Sequence, residues 1–200
     1  MVGLLLAAGA GARYGGDKLL ARLPDGRTLA DASASAMAGV LQRVVAIVRP
    51  GDRVLAGVLA EAGCEIRVCR TAEEGMGASL ACGVAHTADA DGWIVGLADM
   101  PLIRRETIAR VADLLTGEPR AIAAPVHEGR RGHPVGFGRA HGPDLRALGG
   151  DRGARPVLES HRAWLRTFDT DDAGVLADVD TDSDLRRLAC MAMTATEEGA

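Results

Sequence analysis

The amino-acid sequence predicts an α/β domain with helices on both faces of a mostly parallel sheet. Apolar runs of strand length recur along the 200 residues, separated by Ala-rich or periodic segments of helical length. Apolar runs without alternation are typical of parallel strands buried on both faces. Alternating strands and helices are joined by right-handed crossovers. These observations predict three layers in one domain, residues 1–190, followed by a tail, 191–200, that is expected to fray.

The first half of the chain supplies four predicted strands. Val44–Val48 is apolar throughout, whereas Glu65–Cys69 alternates between polar and apolar residues. Gly63 ends the helix that Asp52 is expected to cap. In order, the predicted elements are a strand within Leu4–Leu6, a helix at Thr28–Leu41, a strand at Val44–Val48, a helix from Asp52 to Ala62, a strand at Glu65–Cys69, a helix from the Gly75–Leu80 segment to about His86, and a strand at Trp93–Leu97.

The second half of the chain continues the pattern with shorter elements. Pro101 prevents the fourth strand from continuing. The predicted elements that follow are a helix at Glu106–Thr116, a strand at Ala121–Pro125, a turn within His127–Phe137 that joins two strands, a strand at Arg166–Asp169, and a closing strand within Ala177–Asp180 that leads into the last helix.

The composition excludes several classes of protein. A net charge of −4 argues against a nucleic-acid partner, and 2% aromatic residues offer few stacking platforms. No apolar run reaches membrane-spanning length, and the N-terminal segment lacks the features of a signal peptide. The four cysteines form no C-x-x-C pair, which indicates a reduced, cytoplasmic protein. The histidines of the His127–Phe137 turn lack zinc-ligand spacing, and His86, His141 and His161 are expected to be surface or packing residues.

The loop after the first strand has the features of a triphosphate site. Residues 9–18 contain four glycines, which allow backbone N–H groups to approach an anion closely. Arg13 and Lys18 add a planar guanidinium and a point charge. Two better-known motifs do not fit. Tyr14 replaces the third glycine of a dinucleotide fingerprint, and Leu19 replaces the Ser or Thr of a P-loop.

Carboxylates are predicted to face this loop. Asp99 follows the fourth strand, and ligands of parallel sheets bind at that edge. Alternation places Asp178 and Asp180 on one face of the closing strand. A carboxylate beside phosphates requires a cation between them, and Mg²⁺ is the expected one. Asp99 and, as the first choice of the other two, Asp180 are therefore the predicted metal ligands.

Several segments resemble, in the same order, those of the MobA-like nucleotidyltransferases, in particular the molybdenum cofactor cytidylyltransferases. The opening segment is Leu6-Ala7-Ala8-Gly9-x-x-x-Arg13-x-Gly15-x-x-Lys18, with Tyr14 in place of a common methionine. The others are Gly75-Met76-Gly77-x-Ser79-Leu80, Leu97-Ala98-Asp99-Met100-Pro101, Gly132-His133-Pro134-Val135-Gly136-Phe137, Gly150-Asp151-x-Gly153-Ala154-Arg155, and Asp178-x-Asp180-Thr181-Asp182-x-Asp184-Leu185, where Asp182 replaces a usual proline.

This resemblance implies a Rossmann-like, three-layer α/β/α fold of the nucleotide-diphosphosugar transferase type. It implies Mg²⁺-dependent transfer of CMP from CTP to a phosphorylated acceptor, molybdopterin, with release of pyrophosphate, and a molybdoenzyme or its chaperone as a partner. The implied catalytic residues are Arg13, Lys18 and Asp99; the nucleotide-binding residues are Ala7, Ala8, Gly9, Gly11, Gly15, Lys18, Gly75, Met76 and Ser79; the acceptor-binding residues are His133, Pro134, Asp151 and Arg155; and the metal ligands are Asp99 and Asp180.

Two other functions are compatible with parts of the sequence. A guanylyl- or other nucleotidyltransferase acting on a different phosphorylated metabolite would share most of these motifs. A dinucleotide-binding oxidoreductase module would account for the glycine loop. It would leave the acids at the ends of the predicted strands without a role.

Overall fold

The computed structural model describes residues 1–9, 18–181 and 183–185. The expected loop residues Gly11, Arg13 and Gly15, the end of the last helix and the 191–200 tail lie outside the described residues. Among the residues that are described, no helix combines the length and the apolar composition that a bilayer crossing requires.

One mixed sheet of eight strands lies at the centre of the described part of the chain. The strands are β1 Val2–Leu6, β2 Val44–Val48, β3 Glu65–Val68, β4 Gly92–Leu97, β5 Ile122–His127, β6 Arg130–Arg131, β7 Val135–Gly138 and β8 Leu165–Asp169. Their order is β3-β2-β1-β4-β7-β5-β6, and β8 also pairs with β5. β3, β2, β1 and β4 are mutually parallel, and β8 is parallel to β5. β7 runs antiparallel to both β4 and β5. The mostly parallel sheet is thus confirmed.

Helices cover both faces of this sheet, which makes three layers. They are α1 Leu29–Ala38, α2 Arg53–Glu61, α3 Met76–His86, α4 Arg105–Leu115, α5 Gly142–Arg146 and α6 Arg155–Ser160. Leu5 of β1 packs in a cluster with residues of α1, α2 and α4. The preceding Leu4 points to the other face and packs in a cluster with residues of α3, α5 and α6. Because both leucines are almost fully buried, β1 is apolar throughout rather than alternating.

Three helix ends can be compared with their local sequence: the start of α1, the end of α2 and the start of α2. Thr28 caps α1, since its side-chain oxygen accepts the N–H of Asp31 at 3.1 Å. Gly63 follows α2 with φ +91°, a left-handed conformation that glycine adopts without strain. Asp52 occupies the N-cap position of α2, as expected, but its carboxylate makes no capping hydrogen bond. It instead accepts from Nε of Arg49 at 3.2 Å.

The predicted closing strand within Ala177–Asp180 is wrong. This segment has no regular secondary structure. The backbone N–H of Val179 donates to the carbonyl oxygen of Asp99 at 3.0 Å, so the segment crosses the end of β4 instead of joining the sheet. Its alternation persists nonetheless. Val179 is fully buried, while Asp178 is exposed and Asp180 is partly exposed.

Candidate active site

A cavity of about 560 Å³ opens where β1, β2 and β4 end. Parallel strands of a doubly wound sheet leave a crevice at their carboxyl ends, where ligands bind. The walls come from the segment after β1, the first turns of α2 and α3, and the segment after β4. The residues that line the cavity are Leu6, Ala8, Gly9, Lys18, Leu19, Leu20, Arg49, Gly51, Asp52, Arg53, Val54, Leu55, Ala72, Glu73, Gly75, Met76, Ser79, Leu97, Asp99 and Asp151.

Lys18 joins two carboxylates at this cavity. Its Nζ donates to Oδ2 of Asp99 at 2.8 Å and to Oδ1 of Asp180 at 3.0 Å. Lys18 is the only lysine among 23 basic residues, and it is 9% exposed. A compact ammonium fits between two carboxylates better than a planar guanidinium does. The structure therefore brings together three of the residues that the sequence singled out.

The two carboxylates keep Lys18 charged. Burial by itself would lower the pKa of this amine. The hydrogen bonds and negative charges of Asp99 and Asp180 outweigh burial, so the pKa of Lys18 lies above its usual value. Lys18 thus provides a full positive charge at neutral pH, in a position from which it can be drawn toward an anion.

Asp99 has further capacity to bind a cation. Its Oδ1 atom is buried and has no hydrogen-bond partner among the described residues. A buried carboxylate oxygen without a partner costs free energy, which a metal ion would recover. Asp180 is placed by Asp184, whose carboxylate accepts the backbone N–H groups of Asp180 at 3.1 Å and Thr181 at 2.9 Å. The donor set is carboxylate oxygen, which suits Mg²⁺ or Mn²⁺.

The start of α3 forms the opposite wall. Gly75 has φ +120° and precedes the helix, and Met76 is 44% exposed at the cavity. The hydroxyl of Ser79 is turned back to the carbonyl oxygen of Gly75, at 3.4 Å. The backbone N–H of Gly77 donates to the carbonyl oxygen of Gly150 at 2.8 Å. This bond positions the neighbouring Asp151, which also lines the cavity.

Replacing Gly77 by alanine should displace the loop that carries Asp151. A Cβ atom on Gly77 would lie 2.6 Å from the carbonyl oxygen of Gly149, closer than such atoms approach. We expect Gly77→Ala to cost about 1–3 kcal/mol of stability and to raise KM for the nucleotide or acceptor. The matched control is Gly57→Ala in α2, which meets nothing within 4 Å and should be neutral or stabilising by about 0.5–1 kcal/mol. Equal melting temperatures and KM values for the two variants would contradict this expectation.

Of the four expected acceptor residues, Asp151 lines the cavity, whereas His133, Pro134 and Arg155 do not. His133 lies within electrostatic range of the carboxylate of Asp99. The Nδ1 atom of His133 is buried and has no hydrogen-bond partner among the described residues. Burial lowers the pKa of His133, against an opposing backbone hydrogen bond and the charge of Asp99. Pro134 follows through a cis peptide bond and is buried. Arg155 does not line the cavity, and its Nε donates to Glu159 at 2.8 Å.

Ala7 and Ala8 differ in their access to the cavity. Ala8 lines it, together with Gly9. Ala7 is buried, does not line the cavity, and uses its backbone N–H to bond the carbonyl oxygen of Ile47 at 2.9 Å. Ala7 therefore supports the strand end without reaching the cavity surface.

Sequence reasoning missed the wall that the first turn of α2 contributes. Arg49, Gly51, Arg53 and Val54 all line the cavity, and Val54 is 69% exposed although it is apolar. A partial signal was available, because the carboxyl ends of parallel strands meet at the same edge of the sheet, although the order of β2 and β1 was not predicted.

Comparisons with known proteins agree with this geometry. The MobA-like NTP transferase domain matches residues 3–164. Purine catabolism protein PucB of Bacillus subtilis is 28% identical over 191 residues, which cover 90% of this chain and 92% of that protein. Nicotine blue oxidoreductase of Paenarthrobacter nicotinovorans is 32% identical, over 94% of this chain and 96% of that protein.

Among solved structures, the manganese complex of Rv0371c from Mycobacterium tuberculosis is 26% identical, with a TM-score of 0.78 over 94% of this chain and 96% of that chain. The fold is also that of nucleotidyltransferases of the nucleotide-diphosphosugar transferase type. The domain match covers strands β1 to β7 except Val2, together with Lys18 and Asp99, and it ends before Asp180. We conclude that the chain belongs to the MobA-like NTP transferase family of nucleotidyltransferases.

Proposed function

We propose that this protein transfers CMP from CTP to a phosphorylated acceptor, a molybdopterin cofactor, with Mg²⁺ as the metal ion and pyrophosphate as the second product. The observation that carries the proposal is the ion-paired set of Lys18, Asp99 and Asp180, of which Lys18 and Asp99 line the cavity. Two exposed apolar side chains, Val54 and Met76, also line this cavity. Such side chains suit the faces of a base.

Asp99 and Asp180 are the residues that would hold the metal. The partnerless Oδ1 of Asp99 supports this assignment, and the manganese complex of Rv0371c supports a divalent ion in the family. When bound, Mg²⁺ would offset negative charge on the phosphate oxygens and orient them. Asp178 is exposed and Asp180 contacts Lys18, which favours Asp180 as the second ligand.

Lys18 has a separate role in this proposal. Its ammonium can exchange a carboxylate for a phosphate oxygen, since both are anionic acceptors of comparable geometry. In that position it stabilises the charge that develops on the leaving pyrophosphate. Gly9 and the loop that follows it would present backbone N–H groups to the same phosphates. Catalysis then consists of positioning and charge stabilisation in an in-line displacement, with no covalent enzyme intermediate.

The acceptor would approach from the side of His133 and Asp151. Because the pKa of His133 is lowered by burial, the ring is neutral at pH 7 and presents one N–H donor and one acceptor nitrogen. Its buried Nδ1 has no hydrogen-bond partner in the described residues, so a hydroxyl group of the acceptor could satisfy it by donating to it. Asp151 lines the cavity, whereas His133 lies outside it, within range of the charge of Asp99.

Nucleotide selectivity tests the proposal without an acceptor. Buried polar groups that match cytosine would be left unpaired by guanine, at about 1–3 kcal/mol for each group. We expect CTP with Mg²⁺ to bind at least about tenfold more tightly than GTP, as measured by calorimetry with the four nucleoside triphosphates. A preference for GTP would reassign the chain to guanylyl transfer. Binding of NAD(P) but of no triphosphate would favour the oxidoreductase activity named for the relative from Paenarthrobacter nicotinovorans.

The acceptor is tested by turnover. Pyrophosphate release from CTP should require a molybdopterin cofactor and should not occur with phosphorylated sugars or purines. Release with a purine-derived acceptor would move the function toward the purine catabolism named for PucB. With either acceptor, a molybdopterin cofactor or a purine derivative, the reaction at the site would still be nucleotidyl transfer.

A further inference from the structure

A second cluster of metal-ligating side chains lies apart from the residues that line the cavity. It consists of His141, Asp144 and His161, which each offer one ligand atom within 4.8 Å of the others. His141 and Asp144 lie at the start of α5, and His161 follows α6 directly. The sequence separation of His161 from the other two explains why motif spacing did not reveal the group.

The buried member of the cluster is already oriented. His141 is 2% exposed, and its Nε2 lies 2.8 Å from the carbonyl oxygen of Arg120. Because a carbonyl oxygen only accepts, Nε2 carries the proton and Nδ1 of the neutral ring keeps its lone pair. A backbone carbonyl that accepts from one nitrogen of a histidine while the other nitrogen binds metal is a recurrent arrangement in metal sites.

The other two members face solvent. Nε2 of His161 lies 2.7 Å from Oδ2 of Asp144, and the ring of His161 stands edge-on to that of His141 with centroids 4.7 Å apart. A metal ion can replace the shared proton of the histidine–carboxylate pair. In a tetrahedral zinc site the ligand atoms are about 3.3–3.5 Å apart, so the side chains need to shift by only about 1 Å.

We propose that His141, Asp144 and His161 form a binding site for a borderline transition-metal ion such as Zn²⁺. Two imidazoles and one carboxylate, with a fourth position open to water, match the ligand types and number that zinc takes. The site would tie the start of α5 to the end of α6. These two helices flank the segment that contains Gly150 and Asp151, so the metal would close the base of a loop that reaches the cavity.

The test uses Co²⁺ as a spectroscopic probe on the full chain, with Mg²⁺ in excess to occupy carboxylate sites. We expect one Co²⁺ per chain with the visible absorption of a low-symmetry, nitrogen-containing site, and displacement by equimolar Zn²⁺. His161→Gln and Asp144→Asn should each bind Co²⁺ at least about a hundredfold more weakly, because a ligand is lost. Zn²⁺ should raise the melting temperature of the parent protein and not that of either variant.

The matched control is His86→Gln. His86 also pairs with a carboxylate, Glu65, and the pair is outside the three-residue group. This variant should bind Co²⁺ as the parent does. Equal Co²⁺ affinities for the parent, His161→Gln and Asp144→Asn would overturn the proposal and leave the cluster as a hydrogen-bonded network. Because Asp144 is a half-exposed side chain, its conversion to asparagine tests the site even where a histidine variant folds poorly.

Discussion

Asp99→Asn should reduce turnover by at least about a hundredfold, which corresponds to about 2.7 kcal/mol of activation free energy. The amide keeps the size of the side chain but removes the charge that pairs with Lys18 at 2.8 Å. It also removes one anionic oxygen from the proposed metal ligands. The backbone carbonyl that accepts from Val179 is untouched, so the path of the 177–180 segment should persist. Steady-state kinetics with saturating CTP and Mg²⁺, alongside a thermal melt, would measure both effects.

Asp180→Asn should act in the same direction, and Asp178→Asn is the matched control. Asp178 is exposed, two residues away in the same segment, and does not contact Lys18 in the described structure. Its conversion should change turnover by less than about threefold, or about 0.6 kcal/mol. Asp184 is a poor control because its carboxylate holds the backbone of Asp180. Near-normal turnover of a folded Asp99→Asn protein would remove Asp99 from the metal site.

Lys18→Ala should lower kcat by at least about thirtyfold, or about 2 kcal/mol, and change KM for CTP much less. The reason is that the ammonium is matched to charge that forms on the leaving group, not to the ground state. Lys18→Arg keeps the charge and should restore only part of the rate, since a planar guanidinium does not fit between carboxylates spaced for one nitrogen.

Metal binding gives a second measurement on the same residue. Without the ammonium, the carboxylates of Asp99 and Asp180 repel each other, and no fixed positive charge competes with a divalent ion for binding to them. Lys18→Ala should therefore bind Mg²⁺ more tightly than the parent protein in the absence of nucleotide. A variant that changed only KM, with metal affinity unaltered, would show that Lys18 is a simple binding contact.

The elements that the sequence predicts well are those set by local pattern. β2 occupies the predicted Val44–Val48, and Thr28 caps α1 as its residue type suggests. β1 and β4 were recognisable because strands buried on both faces are apolar throughout. These features depend on residues within one turn or one strand, so no knowledge of distant partners was needed.

The features that the sequence does not reveal depend on contacts between distant segments. The placement of β7 between β4 and β5 depends on strand pairing. The carboxylate of Asp52 accepts from Arg49 instead of from the N–H groups at the start of α2. The 177–180 segment alternates like a strand, but its backbone bonds to the carbonyl oxygen of Asp99 outside the sheet. Arg155 has its partner one helical turn along, at Glu159, which directs it away from the cavity.

The candidate active site also depends on contacts between segments that are distant in sequence. Lys18, Asp99 and Asp180 were each visible as residues at loop or strand ends, yet their convergence on one ammonium is a property of the folded chain. The wall that Val54 contributes required the order of β2 and β1 to be known. Residue types in the sequence therefore indicated which side chains could bind phosphate or metal, whereas their arrangement around the cavity depended on the order of the strands in the sheet.

The bond from Val179 to Asp99 has a consequence for how the protein becomes competent during synthesis. The last described strand, β8, ends at Asp169, whereas the second carboxylate of the site arrives with Asp180. A nascent chain or proteolytic fragment that stops between these residues would retain all eight strands of the described sheet. It would nevertheless lack Asp180, the second carboxylate that pairs with Lys18. In the proposed mechanism, assembly of the sheet therefore does not by itself complete the active site, and we expect a chain terminated in this interval to be inactive.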